Sequence, residues 1–160
     1  MRIIKSIHNQ AAFSLLEVLI SVVVLAIGLL GIAAMQLNMI RYNHSAHLRS
    51  IAIAQVNNMI DSMRANYAGV EAGHYNAISG IPPDPACSNC SSSQIAQRDA
   101  HIWNSYNSEL LPSGQGTVTN NGSTHTITVH WDNNRTGATG LGCGANPQVD
   151  LTCLTVEVQL

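Results

Sequence analysis

Charge is what this 160-residue chain has least of: 10% of its residues are Asp, Glu, Lys or Arg, against a usual ~25%. Seven Lys and Arg against nine Asp and Glu leave a net charge of −2. There is no basic run or patch, so nucleic acid held by general electrostatic attraction is not an expected partner. Disorder is also disfavoured, because 46% of the chain is apolar and its net charge is low. Asn, Ser, Thr and Gly fill the gap, which implies a surface solvated by neutral polar groups. The length suits one domain and is too short for two ordinary ones.

Recognisable catalytic patterns are missing as well. The seven histidines are scattered, and neither HExxH nor GxSxG occurs. His44 and His47 lie three apart beside Arg41, which reads as a solvated helix face. The glycines at 137, 140, 142 and 144 lack the strand-to-helix setting of a phosphate loop and read as an exposed loop. No enzyme activity and no cofactor is expected.

Four cysteines permit two disulfides, which suits an oxidising compartment. Cys87 and Cys90 form a CxxC pair. Zinc would need a second close pair, whereas Cys143 and Cys153 stand ten apart. A redox site would need a thioredoxin-like βαβ pattern, and none is present. Of the three possible connectivities, we expect Cys143–Cys153, closing a loop before the last strand, with Cys87–Cys90.

What the chain does have is one long apolar segment. Residues 18–40 carry no charge. A helix over residues 13–37 would be about 37 Å long at 1.5 Å per residue, enough to span a ~30 Å hydrocarbon core with some tilt. It is too apolar all round for the surface of a globular protein. Arg2 and Lys5 precede it, and the next basic residue is Arg41. The positive-inside rule then puts residues 1–12 in the cytoplasm and the remainder outside.

An ordinary secretory signal peptide is the competing reading, with Ile32-Ala33-Ala34 as its cleavage site. Two features count against it. The apolar run is long enough to span, and Glu17 sits at its head between hydrophobic residues. A charge at the centre of a membrane helix costs about 2.5–3.5 kcal/mol on insertion scales, less near the interface. Something should need that charge.

Beyond the membrane the helix is predicted to continue. Leu48, Ala52, Val56, Met59 and Met63 recur in steps of four, four, three and four, with Ile60 alongside. One helix to about residue 66 follows. Gly28 and Gly31 within it either permit close helix packing, loosen the helix locally, or are tolerated. Residues 67–91 are punctuated by Gly69, Gly73, Gly80 and Pro82-Pro83-Asp84-Pro85, which predicts a connecting loop.

Residues 92–160 read as a small α+β head. A second helix is expected from about Ser93 to Leu110, where Ile95, Ile102, Trp103, Tyr106 and Leu110 keep helical spacing. Asn120-Asn121-Gly122-Ser123 between two alternating runs signals a hairpin. Ile127, Val129 and Trp131 alternate with Thr126, Thr128 and His130, predicting a half-buried strand. Leu154, Val156, Val158 and Leu160 alternate again. An antiparallel sheet of three or four strands on the long helix is the expected architecture.

Ala12-Phe13-Ser14-Leu15-Leu16-Glu17, followed by Val18-Leu19-Ile20, resembles the class III signal of type IV pilins and type II secretion pseudopilins. The resemblance implies the type IV pilin fold, a long N-terminal helix, transmembrane in its first half, packed on a small antiparallel head. It implies cleavage by prepilin peptidase between Ala12 and Phe13, with N-methylation of Phe13. The chain departs from the family pattern at Ala12, where the family prefers Gly, and more mildly at Ser14 for Thr. Glu17 becomes the fifth mature residue, the family's acidic position. There a neighbour's Phe13 amine would pair with it and favour one axial register. The simpler reading of Glu17 is a carboxylate at the water interface that suits the helix dipole.

Gly28-Leu29-Leu30-Gly31, Trp103, Leu110-Leu111-Pro112-Ser113-Gly114-Gln115-Gly116 and the strand 127–131 look like the PilV-type minor pilins. That resemblance implies a low-abundance subunit that starts pilus assembly and sits near the tip. Its partners would be other minor pilins, the major pilin, prepilin peptidase and the inner-membrane assembly platform. It would sit in the bacterial inner membrane with a periplasmic head, then in the pilus at the cell surface. A GspI-like pseudopilin of type II secretion is the nearest alternative.

Overall fold

The computed structural model describes residues 15–160. The elements in chain order are α1 (Leu15–Ala65), α2 (Tyr67–Glu71), β1 (Ala77–Ser79), α3 (Ser92–Leu110), β2 (Gln115–Asn121), β3 (Thr124–Trp131) and β4 (Thr152–Val158). The chain divides into two compact units, the first ending at Asn43 and the second running from His44 to Leu160.

In the first unit, α1 is helical from Leu15 onward and uninterrupted at Gly28 and Gly31. A Cβ added at either glycine would meet nothing within 4 Å. The apolar side chains from Leu15 to Ile40 are exposed. This stretch of α1 is long and apolar enough to cross a membrane.

The second unit is an α+β head. Within it, α1 buries Leu48, Ala52, Val56, Met59, Ile60 and Met63, the stripe of the four-and-three repeat, together with Gln55. These pack with Trp103, Leu111, Val118, Ile127, Val129 and Trp131 in one core, against which Leu154, Val156, Val158 and Leu160 are partly buried. The sheet is a four-stranded antiparallel meander in the order β1-β2-β3-β4. The β2–β3 hairpin is longer than its sequence signal suggests. Asn121 pairs with Thr124, leaving Gly122 and Ser123 as the two-residue turn, with Gly122 at φ +73. That left-handed conformation is one glycine adopts without steric cost.

Residues 67–91, expected as a loop, hold two elements. The short α2 follows α1 directly, and β1 pairs Ile78 with Val118 at the sheet edge. Three residues bounded by glycine and proline give periodicity too little length to register. Tyr75, between α2 and β1, is fully buried. Its hydroxyl donates to Asp99 Oδ2 at 2.5 Å and accepts from Asn66 Nδ2 at 3.1 Å. Burial, then the Asp99 carboxylate, raises the Tyr75 phenol well above its ordinary range, so it stays a neutral donor.

At the start of α3, the Ser91 side chain accepts from the Gln94 backbone N–H. The Gln94 side chain in turn accepts from the Ser91 N–H at 3.0 Å, a reciprocal cap. The face that α3 buries differs from the apolar spacing of its sequence. Buried are Ala96, Ala100, Trp103, Asn104 and Asn107, whereas Ile102, Tyr106 and Leu110 are about half exposed. The reason is closeness. A Cβ at Gly116 of β2 would lie 2.4 Å from the Trp103 ring and 2.6 Å from Asn107 Nδ2. Small residues and amides fit that gap. Asn104 accepts from the Gly116 N–H at 2.7 Å and donates to Gly80 O at 2.7 Å. It thereby ties α3 to β2 and to the residue after β1.

Candidate functional site

Three features bear on function: the head of the apolar helix, the groove between α1 and α3, and the loop that precedes β4.

Ala12 and Phe13, the residues of the expected cleavage and methylation, lie outside the described residues. Glu17 stands in the first turn of α1. Its backbone carbonyl accepts from Ser21 Oγ at 2.7 Å. Among the described residues, no side-chain ion pair forms at Glu17, and Arg64–Asp61 on the exposed helix face pairs at 3.5 Å. A carboxylate placed there is compatible with the positive end of the helix dipole.

Between α1 and α3 runs an open groove of about 460 Å³, lined by Gln55, Asn58 and Asp61 on one side and Asp99, Ile102, Trp103 and Tyr106 on the other. Trp103 Nε1 donates to the backbone carbonyl of Gln55 at 2.8 Å, locking the two helices together. Gln55 Oε1 is buried without a hydrogen-bond partner. The groove offers acceptors and an aromatic wall.

The glycine-rich loop is more ordered than its composition suggests. Asp132 Oδ2 accepts from the Gly137 N–H at 2.7 Å, and Asp150 accepts from Gly142 and Asn146 N–H groups at 3.2 and 2.9 Å. Both carboxylates act as internal staples. The cysteines are bonded Cys87–Cys90 and Cys143–Cys153. The second bridge joins this loop to β4. His44 and His47 are exposed, and they share a second open groove with Glu109 and Arg135.

Thr128 and His130 were expected on the solvent side of β3, yet both are buried. His125 and His130 are held below the ordinary histidine value of 6.5 by desolvation. For Asp132, burial pushes the carboxyl up. Hydrogen bonds from Thr136, Gly137 and Asn134 outweigh it and leave the net shift downward. The signs agree. A histidine with a lowered folded-state value is protonated first in the unfolded chain, so stability is full above about pH 6.5 and falls as pH drops below it. Asp132 adds a second loss as pH falls below the ordinary carboxylate value of 3.8. We expect thermal unfolding of the full chain in detergent at about pH 7.5, 5.5 and 3.5 to give midpoints falling in two stages. A midpoint unchanged between the first two conditions would contradict the histidine argument.

Compared with known proteins, residues 7–33 match the prokaryotic N-terminal methylation motif. No curated protein and no solved structure matches the chain. The chain carries a class III signal of the type IV pilin kind, heading a long apolar helix and an α+β, pilin-like architecture. Together these support a type IV pilin or pseudopilin, a structural class. Such a signal implies processing by prepilin peptidase and assembly with other pilins into pilus-type complexes.

Proposed function

We propose that this chain is a minor pilin of the type IV pilus, incorporated through α1 and needed to initiate pilus assembly, with its head at or near the tip. The observation that carries the reading is the methylation motif over residues 7–33, with Glu17 at the head of an apolar helix. The PilV-like features, Gly28-Leu29-Leu30-Gly31 and the segment 110–116, support the minor-pilin subtype. In this reading residues 1–12 are a cytoplasmic leader cut between Ala12 and Phe13, and residues 13–37 span the inner membrane. Prepilin peptidase, the assembly platform, the major pilin and the other minor pilins are the partners. The head folds in the periplasm, where the two disulfides form.

The test is the intact mass and N-terminal residue of the chain from its native host, together with a deletion strain. We expect a mature chain starting at N-methylated Phe13, and loss of surface pili while the other pilins are still made. A start near Met35 would remove the assembly helix and overturn the reading. Unchanged piliation with blocked exoprotein secretion would replace the pilus with a type II secretion system.

A further inference from the structure

The Cys143–Cys153 bridge lies against a buried imidazole. His130 stands directly opposite Cys153 in the β3–β4 register, and the bridge brings Cys143 to the same place. One ring nitrogen of His130 and the sulfurs of both cysteines all lie within 4.8 Å of one another. Tetrahedral zinc, with Zn–S near 2.3 Å and Zn–N near 2.0 Å, sets its ligand atoms about 3.4–3.8 Å apart. Once the S–S bond is broken, the three atoms are near enough to one another to hold a single ion.

A second observation points the same way. His130 is only 4% exposed, and its Nδ1 is buried with no hydrogen-bond partner. Buried polar nitrogens are rarely left so, because the lost hydration is not replaced. The sequence spacing argued against zinc by counting cysteine pairs. Strand pairing supplies the third ligand that spacing could not reveal.

We propose that His130, Cys143 and Cys153 form a redox-gated zinc(II) site, closed while the disulfide stands and opened by its reduction. A dithiol reductant supplies the two electrons. Its thiolate attacks Sγ of Cys143, the more exposed of the two residues, and Cys153 leaves as a thiolate. The reductant's second thiol then resolves the mixed disulfide and departs as its own disulfide. Zinc(II) takes both thiolates and the neutral imidazole, displacing the protons the thiols would otherwise hold. A fourth position is left for water. Exchange with a small-molecule disulfide, which accepts the two electrons and departs as two thiols, restores the bridge, removes two ligands and releases the ion. The site does not depend on the filament reading, and its test is separate.

The experiment uses the full chain in detergent with Cys87→Ser and Cys90→Ser, so that one cysteine pair remains. After anaerobic reduction by a dithiol and its removal, cobalt(II) is added as the spectroscopic probe and then displaced by zinc(II). We expect one equivalent of cobalt with thiolate-to-metal charge-transfer bands, none with the oxidised chain, and zinc affinity at least about tenfold weaker in His130→Gln. Absence of thiolate bands in the reduced chain, or unchanged zinc affinity in His130→Gln, overturns the proposal. Should His130→Gln fail to fold, X-ray absorption at the zinc edge of the reduced chain that retains His130 decides. A shell of two sulfurs with an imidazole sustains the site, and a shell without imidazole rejects it.

Discussion

Replacing Glu17 by Ala is expected to leave membrane insertion intact and to cut recovery of the chain in sheared filaments or initiation complexes by at least about tenfold. The two roles open to this carboxylate differ in size. As a helix-dipole partner in the first turn of α1 it contributes about 0.3–1 kcal/mol, and its loss would loosen one end of one helix. As the partner of a neighbour's N-terminal amine, its removal strands a charge in an apolar setting, which costs about 3–5 kcal/mol when burial is complete. Partial hydration near the interface reduces that figure, and 1.4 kcal/mol already makes the tenfold effect. Glu17→Gln separates the contributions. It keeps a hydrogen-bond acceptor but loses the charge, so incorporation should fall nearly as far as in the alanine variant. Immunoblots of membrane and sheared fractions read both quantities. Wild-type recovery of Glu17→Ala in the sheared fraction would rule out the pairing and leave the dipole role.

How far the fold was legible depends on the length of each pattern. The buried stripe of α1 repeats over sixteen positions from Leu48 to Met63, long enough for a 3.6-residue period to declare itself. Ile127, Val129 and Trp131 place β3 for the same reason. Elements set by one tertiary contact left no such trace. β1 exists because Ala77–Ser79 completes the edge of β2, and Tyr75 is buried because Asn66 and Asp99 satisfy its hydroxyl. The face of α3 was misleading for a physical reason. Hydrophobic periodicity pointed to Ile102, Tyr106 and Leu110, but the approach of β2 at Gly116 selects size and hydrogen bonding over hydrophobicity.

The candidate site divides along the same line. The assembly signal is contiguous, a run of residues whose order carries the chemistry, so it can be read without a structure and is matched over residues 7–33. His130 belongs to no motif. It alternates with Val129 and Trp131 as a solvent-facing residue would, yet it is buried, with the Cys143–Cys153 bridge beside it. Spacing along the chain gives no hint of a ligand set assembled across strands.

The same closeness that shaped α3 makes Gly114 the position where the smallest change should do most harm to the head. The helix ends at Leu110. The Leu111 N–H then bonds to the Asn107 carbonyl at 3.1 Å, and the Gly114 N–H returns to the Leu111 carbonyl at 2.9 Å. This tight turn lays Gly114 across the Asn107 carbonyl, where an added Cβ would fall 1.8 Å from the oxygen and 2.6 Å from its carbon. Those are backbone atoms, so no rotamer change relieves the overlap. The turn must open, and that pulls Gly116 away from the Trp103 ring and from the Asn104 amide that holds it. Gly114→Ala should cost about 4–5 kcal/mol, the upper end of single substitutions. For a head of this size that lowers the unfolding midpoint by roughly 15 °C or more. Gly122→Ala is the matched control. Its φ of +73 disfavours alanine, but its Cβ would meet open space, so the penalty is conformational and about 1 kcal/mol. Thermal unfolding of both variants in detergent by circular dichroism makes the comparison. If Gly114→Ala unfolds within a few degrees of Gly122→Ala, the close passage of this turn over α3 is not what holds the helix to the sheet.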